Sequence, residues 1–105
     1  MAIALLLEFH NSKQEQYDKV MKGLGLETNN AENIPDGLVC HFAYAKEGNW
    51  AVVDVWESRR QFDTFLQERL MPALRDASLP EPEVKEYELY NLMLGKRTPV
   101  LSGMR

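Results

Sequence analysis

The chain has 105 residues, 45% of them hydrophobic and 27% charged, which is the size and make-up of one ordinary globular domain. Its formal net charge of −4 argues against a protein whose main task is to neutralise phosphates, so we expect no nucleic-acid partner. Cys40 is the single cysteine, which excludes an intrachain disulfide and fits a reducing compartment. The sequence has no signal-peptide pattern and no apolar run of about 20 residues, so we expect a cytoplasmic protein without a membrane partner.

The first third of the chain has the pattern of a strand, a helix and a loop. Residues 2–9 are rich in Ile and Leu and end sharply, which favours a buried strand. Residues 12–15 match a capping box that opens a helix, and Gly23 and Gly25 mark its end. Residues 27–36 are polar and predict a loop. The predicted helix carries apolar side chains at helical spacing: Tyr17, Val20, Met21 and Leu24.

The remainder predicts a hairpin, a second helix and a last strand. Residues 38–46 and 49–56 alternate as strands around a Glu-Gly turn. A second capping box at residues 58–61 opens a helix that Pro72 should end or kink, with a further turn over residues 73–77. Residues 84–93 predict the last strand. The order β-α-β-β-α-β predicts a ferredoxin-like α+β domain with an antiparallel sheet over residues 1–95, followed by a tail over residues 96–105.

The hairpin register follows from its turn. A loop of two residues pairs Lys46 with Asn49, a loop of four gives the same register, and both set His41 directly opposite Asp54. A loop of three would place Asp54 among apolar side chains of the other face, where an unpaired carboxylate is costly. We therefore predict that His41 and Asp54 point to the same side of the sheet.

The two faces of this hairpin predict how the sheet is covered. One face is nearly all apolar and is expected to lie under the helices: Leu38, Cys40, Phe42, Tyr44, Ala51, Val53 and Val55. The other carries the polar pair and both tryptophans: Val39, His41, Ala43, Ala45, Trp50, Val52, Asp54 and Trp56. Right-handed crossovers put both helices on one side, so the second face would lack cover from its own chain. A large uncovered apolar patch predicts a homodimer whose two sheets pack face to face.

A family resemblance rests on three segments of this sequence. They are Asp36-Gly37-Leu38 with His41, residues 50–58, and Phe62 and Phe65 with residues 68–74. Together they resemble small bacterial proteins of the dimeric α/β barrel superfamily, near the antibiotic biosynthesis monooxygenase-like domains, over residues 2–93. The resemblance implies a ferredoxin-like protomer, a dimer, and a cavity either between sheet and helices or within the barrel. The superfamily includes cofactor-free oxygenases, haem-degrading enzymes, isomerases, dehalogenases and proteins with no known activity.

The candidate catalytic residues are His41 and Asp54, because a carboxylate holds an imidazole in one tautomer and favours its charged form. Such a pair could take a proton from a phenol or enol whose anion then reacts with oxygen. It could equally be a structural cross-strand pair that fixes the register. Trp50 and Trp56 could stack a flat substrate or be interface core. Glu8 could be a second acid or base, or a rim carboxylate, and Tyr90 could offer a hydroxyl to the same cavity.

The sequence offers no support for a metal or a cofactor. Its two histidines lack the spacing of a zinc site, and neither predicted helix carries a histidine for haem. Cys40, expected on the helix-facing side, is interpreted as an inert core thiol. Two main functions stay open: a cofactor-independent monooxygenase-like enzyme acting on a flat acidic organic molecule, and a non-catalytic dimeric binding or accessory protein. A haem-binding relative is the third.

Overall fold

The computed structural model describes residues 1–27 and 31–96. Its elements are β1 (Ile3–Phe9), α1 (Gln14–Leu24), a 3-10 turn (Ala31–Asn33), β2 (Leu38–Lys46), β3 (Asn49–Trp56), α2 (Arg59–Phe65), a π-helical turn (Leu66–Leu70), α3 (Met71–Asp76) and β4 (Glu83–Glu88). The strands form one antiparallel sheet in the order β2-β3-β1-β4, which confirms the predicted ferredoxin-like α+β fold. The predictions for residues 28–30 and 97–105 fall outside the described residues. No helix in the described part is long and apolar enough to cross a membrane.

The core lies between one face of the sheet and the helices. Alternate residues of β1 point into it, since Leu5, Leu7 and Phe9 are buried between less buried neighbours. Val20 and Leu24 of α1 pack against them, as the predicted helical stripe requires. Each fully buried side chain of this size contributes about 1.5–3 kcal/mol relative to exposure, so β1 anchors the domain.

The predicted capping boxes have different outcomes. Ser58 caps α2 as predicted, because its Oγ accepts a hydrogen bond from the Gln61 backbone N–H at 3.3 Å. Ser12 does not cap α1, which begins one residue later with Lys13 at the cap position. Its hydroxyl instead donates to the Phe9 carbonyl at 2.5 Å and accepts from the Trp50 N–H at 2.8 Å. The hydroxyl therefore joins the end of β1 to the start of β3.

The second helical segment passes through Pro72. A π-helical turn precedes the proline, and the Met71 N–H bonds to the Leu66 carbonyl five residues back. Proline has no N–H and crowds the carbonyl four residues earlier, so the wider turn accommodates it and the chain continues as α3. The further turn predicted over residues 73–77 corresponds to α3. By contrast, β4 ends at Glu88, five residues before the predicted Met93, and one further hydrogen bond, from the Leu89 N–H to the Ala2 carbonyl at 3.0 Å, follows it.

The hairpin has the predicted register from Cys40 to Asn49 but the opposite cover. An irregularity between Leu38 and Cys40 shifts the register beyond that point, so Leu38 pairs with Trp56 and packs against the core instead of sharing a face with Cys40. His41 pairs with Asp54, as predicted. Asp54 is opposite Leu5, whose side chain is completely buried under the helices, so this polar face is the covered one. The apolar face predicted to lie under the helices is open instead. We call it the open face: Ala4, Leu6, Glu8, Cys40, Phe42, Tyr44, Ala51, Val53, Val55, Lys85 and Tyr87.

The face assignment was wrong because it treated a carboxylate under the helices as unpaired. Asp54 is only 6% exposed, but His41 and the Trp56 indole both hydrogen-bond to it. Trp56, expected on the uncovered face, is completely buried and packs edge-on against Phe62 of α2. Hydrogen bonding offsets the cost of burying the carboxylate, while the large indole gains more from burial than smaller residues of the other face.

Candidate functional site

A cavity of about 310 Å³ lies between the helix-covered face of the sheet, α1 and the segment before β2. Val20, Leu24, Ile34 and Val52 are among the aliphatic side chains that form most of its wall. The polar side chains of the lining are few: Ser12, Tyr17, His41 and Asp54, with the indoles of Trp50 and Trp56. A largely apolar cavity with a few convergent polar groups is the usual form of a small-molecule site.

The predicted His41–Asp54 pair lies in this cavity. His41 Nδ1 is 2.6 Å from Asp54 Oδ1, so the two side chains point to the same side of the sheet, as predicted from the register. The other carboxylate oxygen, Oδ2, accepts a hydrogen bond from Trp56 Nε1 at 3.2 Å. The side chain of His41 is 26% exposed and that of Asp54 is 8% exposed. The carboxylate holds the proton of neutral His41 on Nδ1, which leaves a lone pair on Nε2.

Tyr17 of α1 completes a chain of three groups that the sequence did not reveal. Its hydroxyl lies 2.9 Å from His41 Nε2. Burial, followed by the negative charges of Asp54 and Asp18, raises the pKa of Tyr17 to about 12. The phenol is therefore neutral around neutral pH and donates its proton to the Nε2 lone pair. Sequence reasoning assigned Tyr17 only to the apolar stripe of α1, since nothing in that stripe shows which residue lies over His41.

The two tryptophans differ in their relation to the cavity. Trp50 stacks on Tyr17, with ring centroids 5.6 Å apart and planes 17° from parallel. Trp56 forms part of the floor, where it contacts Phe62 and Phe65 and bonds to Asp54. Both indoles border the cavity, Trp50 beside the polar chain and Trp56 beneath it.

Comparison with known proteins identifies solved structures that share the fold of this chain. No protein-family profile and no curated protein match the sequence. The NE2512 protein of unknown function from Nitrosomonas europaea superposes with a TM-score of 0.65 at 21% identity, covering 91% of this chain and 96% of that chain. SnoaB, a cofactor-independent oxygenase from Streptomyces nogalater, superposes with a TM-score of 0.61 at 13% identity, covering 88% and 96%. An antibiotic biosynthesis monooxygenase candidate from Chloroflexus aurantiacus gives 0.60 at 12% identity, covering 90% and 100%.

This chain has the antibiotic biosynthesis monooxygenase-like fold. The resemblance stated from the sequence is thereby confirmed at the level of the fold. In this monooxygenase-like fold, the cavity is walled by the sheet and helices of the chain itself, which also supplies all three groups of the polar chain.

Glu8 and Tyr90 lie away from the cavity. Glu8 pairs with Ala51 on the open face. It was expected to face the same side as Asp54, but the Asp54 carboxylate lies on the covered side. A hydrogen bond from Asn49 and the nearby Lys46 lower the pKa of Glu8, although burial opposes them. Tyr90 follows the end of β4 and is fully exposed. Among the described residues, no cluster of three or more His, Cys, Asp or Glu side chains could hold a metal ion.

Cys40 lies on the open face rather than the helix-facing side. It pairs with Val55, one residue out of phase with the His41–Asp54 pair, so its side chain points away from theirs. Burial raises the pKa of its thiol, with a further contribution from the negative charge of Asp54. A thiol with a raised pKa is a poor nucleophile at neutral pH, which agrees with the inert role expected for it.

Proposed function

We propose that the cavity binds a small, flat organic molecule and that the His41–Asp54 pair removes an acidic proton from it, as the first step of a cofactor-independent monooxygenase-like reaction. The observation that carries this proposal is a histidine-carboxylate pair pointing into an apolar, aromatic-lined cavity. The presence of SnoaB, described as a cofactor-independent oxygenase, among the proteins of this fold supports it. We further propose that the protein works in the cytoplasm as a homodimer.

The pair has the features of a general base. Asp54 fixes the Nδ1–H tautomer of His41 and, after proton uptake at Nε2, faces the resulting imidazolium with a carboxylate. The apolar walls of the cavity weaken screening, so this charge pairing is stronger there than in water. Trp50 offers a flat surface on which an aromatic or enolic substrate can lie beside the base.

Molecular oxygen would complete the reaction without a cofactor. For a substrate with an acidic CH₂ group that binds as its enol, loss of the enol O–H proton gives an enolate, which reacts with O₂ and a proton to form a hydroperoxide at carbon. Loss of water from this hydroperoxide leaves a C=O group. One oxygen atom stays in the product and the other leaves as water, so the substrate supplies all the electrons.

A second candidate function, ligand binding without catalysis, is supported by the hydrogen bonds of His41 and Asp54. Both ring nitrogens of His41 and both oxygens of Asp54 already have partners within the protomer. Fully satisfied networks of this kind also occur for purely structural reasons. In this alternative the protein binds a small molecule without transforming it, and the polar chain fixes the position of α1 over the sheet.

The substitution His41→Asn separates the two functions. An asparagine amide can still donate to Asp54, so the buried carboxylate keeps a partner while the basic nitrogen is lost. We expect the variant to stay folded, to bind aromatic ligands, and to lose oxygen consumption with any substrate that the wild type turns over. The matched control His10→Asn changes an exposed histidine outside the cavity and should leave both properties intact. Undiminished turnover in His41→Asn would refute the catalytic role.

The more drastic substitution His41→Ala tests the structural role. It leaves Asp54 Oδ1 and the Tyr17 hydroxyl without their partner, so we expect a loss of about 1–3 kcal/mol in the free energy of unfolding. Melting curves and a ligand-binding screen on both variants distinguish the cases. A destabilised His41→Ala with binding retained, together with no turnover by wild type of any molecule that it binds, would favour the accessory protein.

A further inference from the structure

We propose that the hydroxyl of Tyr17, rather than His41, receives the proton of the substrate and passes its own proton to His41 in the same step, and that the substrate enters the cavity uncharged. This inference rests on the proposed function, because it assigns the path by which the proposed base is reached. It makes Tyr17 a catalytic residue in direct contact with the substrate and gives His41 the role of final proton acceptor.

Both ring nitrogens of His41 already have hydrogen-bond partners, so neither is free to bind a substrate. Nδ1 is held by Asp54 at 2.6 Å, and Nε2 is held by the Tyr17 hydroxyl at 2.9 Å. An imidazole has only these two nitrogens, and each forms one bond in the plane of the ring. If these hydrogen bonds stay intact, the only route by which a proton can reach His41 is through Tyr17.

The hydroxyl of Tyr17 is suited to receive that proton. Within the described residues its one hydrogen-bond partner is His41, and a phenolic oxygen that donates one bond can still accept another. Tyr17 and His41 both line the cavity, and their rings are parallel to within 5° with centroids 6.4 Å apart. This arrangement brings the Tyr17 hydroxyl within 2.9 Å of Nε2, close enough to donate the phenolic proton to its lone pair.

The transfer balances in protons and charge. The O–H bond of the substrate breaks as its proton bonds to the Tyr17 oxygen, and the former Tyr17 proton bonds to His41 Nε2. The products are a substrate anion, a neutral tyrosine that donates a hydrogen bond to this anion, and an imidazolium paired with Asp54. The raised pKa of Tyr17, about 12, agrees with this path because the tyrosine relays a proton without resting as a phenolate.

The lining of the cavity favours an uncharged ligand. Among the described residues that line it there is no lysine and no arginine, and Asp54 already contributes a negative charge. A ligand carboxylate would be buried without a cationic partner, which is strongly unfavourable. The volume of about 310 Å³ is roughly twice that of an apolar cavity of about 150 Å³ that holds benzene, so two fused rings are a suitable probe.

Binding of three naphthalene derivatives tests the contact with Tyr17. The probes are 2-naphthol, 2-methoxynaphthalene and naphthalene-2-carboxylate, followed by calorimetry and by quenching of tryptophan fluorescence. We expect wild type to bind 2-naphthol about ten-fold more tightly than the methoxy compound, because only the naphthol donates a hydrogen bond. The carboxylate should bind at least about a hundred-fold more weakly than the naphthol. Tyr17→Phe should bind both neutral probes equally, whereas the exposed control Tyr90→Phe should keep the ten-fold preference.

Ionisation of the bound naphthol tests the proton path. The absorbance of the naphthol is recorded against pH. We expect naphthol bound to wild type to ionise at a lower pH than free naphthol in water. We expect this effect to disappear in both Tyr17→Phe and His41→Asn. Ionisation that persists in Tyr17→Phe would overturn the relay while leaving the base function standing.

The remaining outcomes are also decisive. One outcome is that wild type prefers naphthol to its methyl ether in a way that depends on Tyr17, yet does not lower the pH at which the bound naphthol ionises. That result would refute the proposed base but support the contact between Tyr17 and the ligand. Equal binding of naphthol and its methyl ether to wild type would overturn the contact itself, even if Tyr17→Phe failed to fold. Equal binding of the carboxylate would overturn the requirement for an uncharged ligand.

Discussion

Tyr17, His41 and Asp54 form a chain in which each polar group depends on the next. Asp54 is buried but accepts from His41 and from the Trp56 indole, and His41 in turn accepts from Tyr17. Because the groups are held away from water, removing any one of them leaves a neighbour unsatisfied. The chain connects α1, β2 and β3, so chemistry at one residue is coupled to the packing of three elements.

The alkaline titration of Tyr17 gives a test of its burial. Its pKa in the folded protein is about 12, above the ordinary value of 10.0, chiefly because burial disfavours the phenolate. The unfolded chain therefore releases this proton at lower pH than the folded chain does, and the stability that Tyr17 confers is fully present below about pH 10 and lost between about pH 10 and 12.

We expect the free energy of unfolding of wild type to fall more steeply across this pH range than that of Tyr17→Phe, which has no phenolic proton at this position. Chemical denaturation at a series of pH values measures the difference, with the exposed Tyr90→Phe as the control. Parallel pH profiles for wild type and Tyr17→Phe would contradict the burial of the phenol.

The sequence was informative about this site where spacing alone decides the geometry. The hairpin turn fixes which residues are opposite each other, so His41 and Asp54 could be paired from the sequence. The contact of Tyr17 depends on how α1 lies across the sheet, and that is a property of tertiary packing. Glu8 was expected beside Asp54 and does not lie there, because the side of the sheet that carries Asp54 had been misassigned.

At the scale of elements, the buried hydroxyl of Ser12 holds two strands together. It satisfies the Phe9 carbonyl and the Trp50 N–H where β1 ends and β3 begins. This junction places Trp50 next to α1, against Tyr17, and therefore also shapes the wall of the cavity. The capping-box pattern concealed this role, because Ser followed three residues later by Glu indicates a helix start whether or not the serine is the cap.

Ser12→Ala should destabilise the domain by about 1–3 kcal/mol, because it leaves a backbone N–H and a carbonyl without this partner. Thr64→Ala is the matched control, since it removes an exposed hydroxyl from α2 and should change stability by no more than about 0.5 kcal/mol. Urea denaturation measures both changes. Equal stabilities for the two variants would show that the hydroxyl of Ser12 contributes nothing at this junction.

Element types and order were predictable because hydrophobic periodicity and turn residues are local signals. Two features depended on non-local geometry. The π-helical turn lets the helical segment continue through Pro72, and β4 stops at Glu88 where its partner strand ends. Residues 89–93 are mostly apolar and were therefore included in the predicted strand, but they lie beyond the residues that pair with β1, so composition alone extended β4 too far.

At the scale of the whole molecule, the open face is an exposed and largely apolar surface that lies on the opposite side of the sheet from the helices. Phe42, Tyr44 and Tyr87 are all well exposed on it, with Leu6 and Val53 between them. The apolar patch predicted from the sequence therefore exists, but it consists of other residues than the two tryptophans first assigned to it. An exposed patch of this kind fits the homodimer we propose, with two open faces packed together.

Phe42→Glu should abolish this dimer without unfolding the protomer. Phe42 is 55% exposed in the single protomer, so a glutamate there can be hydrated, whereas a packed dimer would bury two unpaired carboxylates at a cost of several kcal/mol each. Sedimentation at micromolar concentration should give a dimer for wild type and a monomer for Phe42→Glu, with matching circular dichroism. Val84→Glu is the control, because Val84 is aligned with Leu7 on the covered side and should leave the dimer intact. A monomeric wild type, or a dimeric Phe42→Glu, would show that the open face is not the subunit interface.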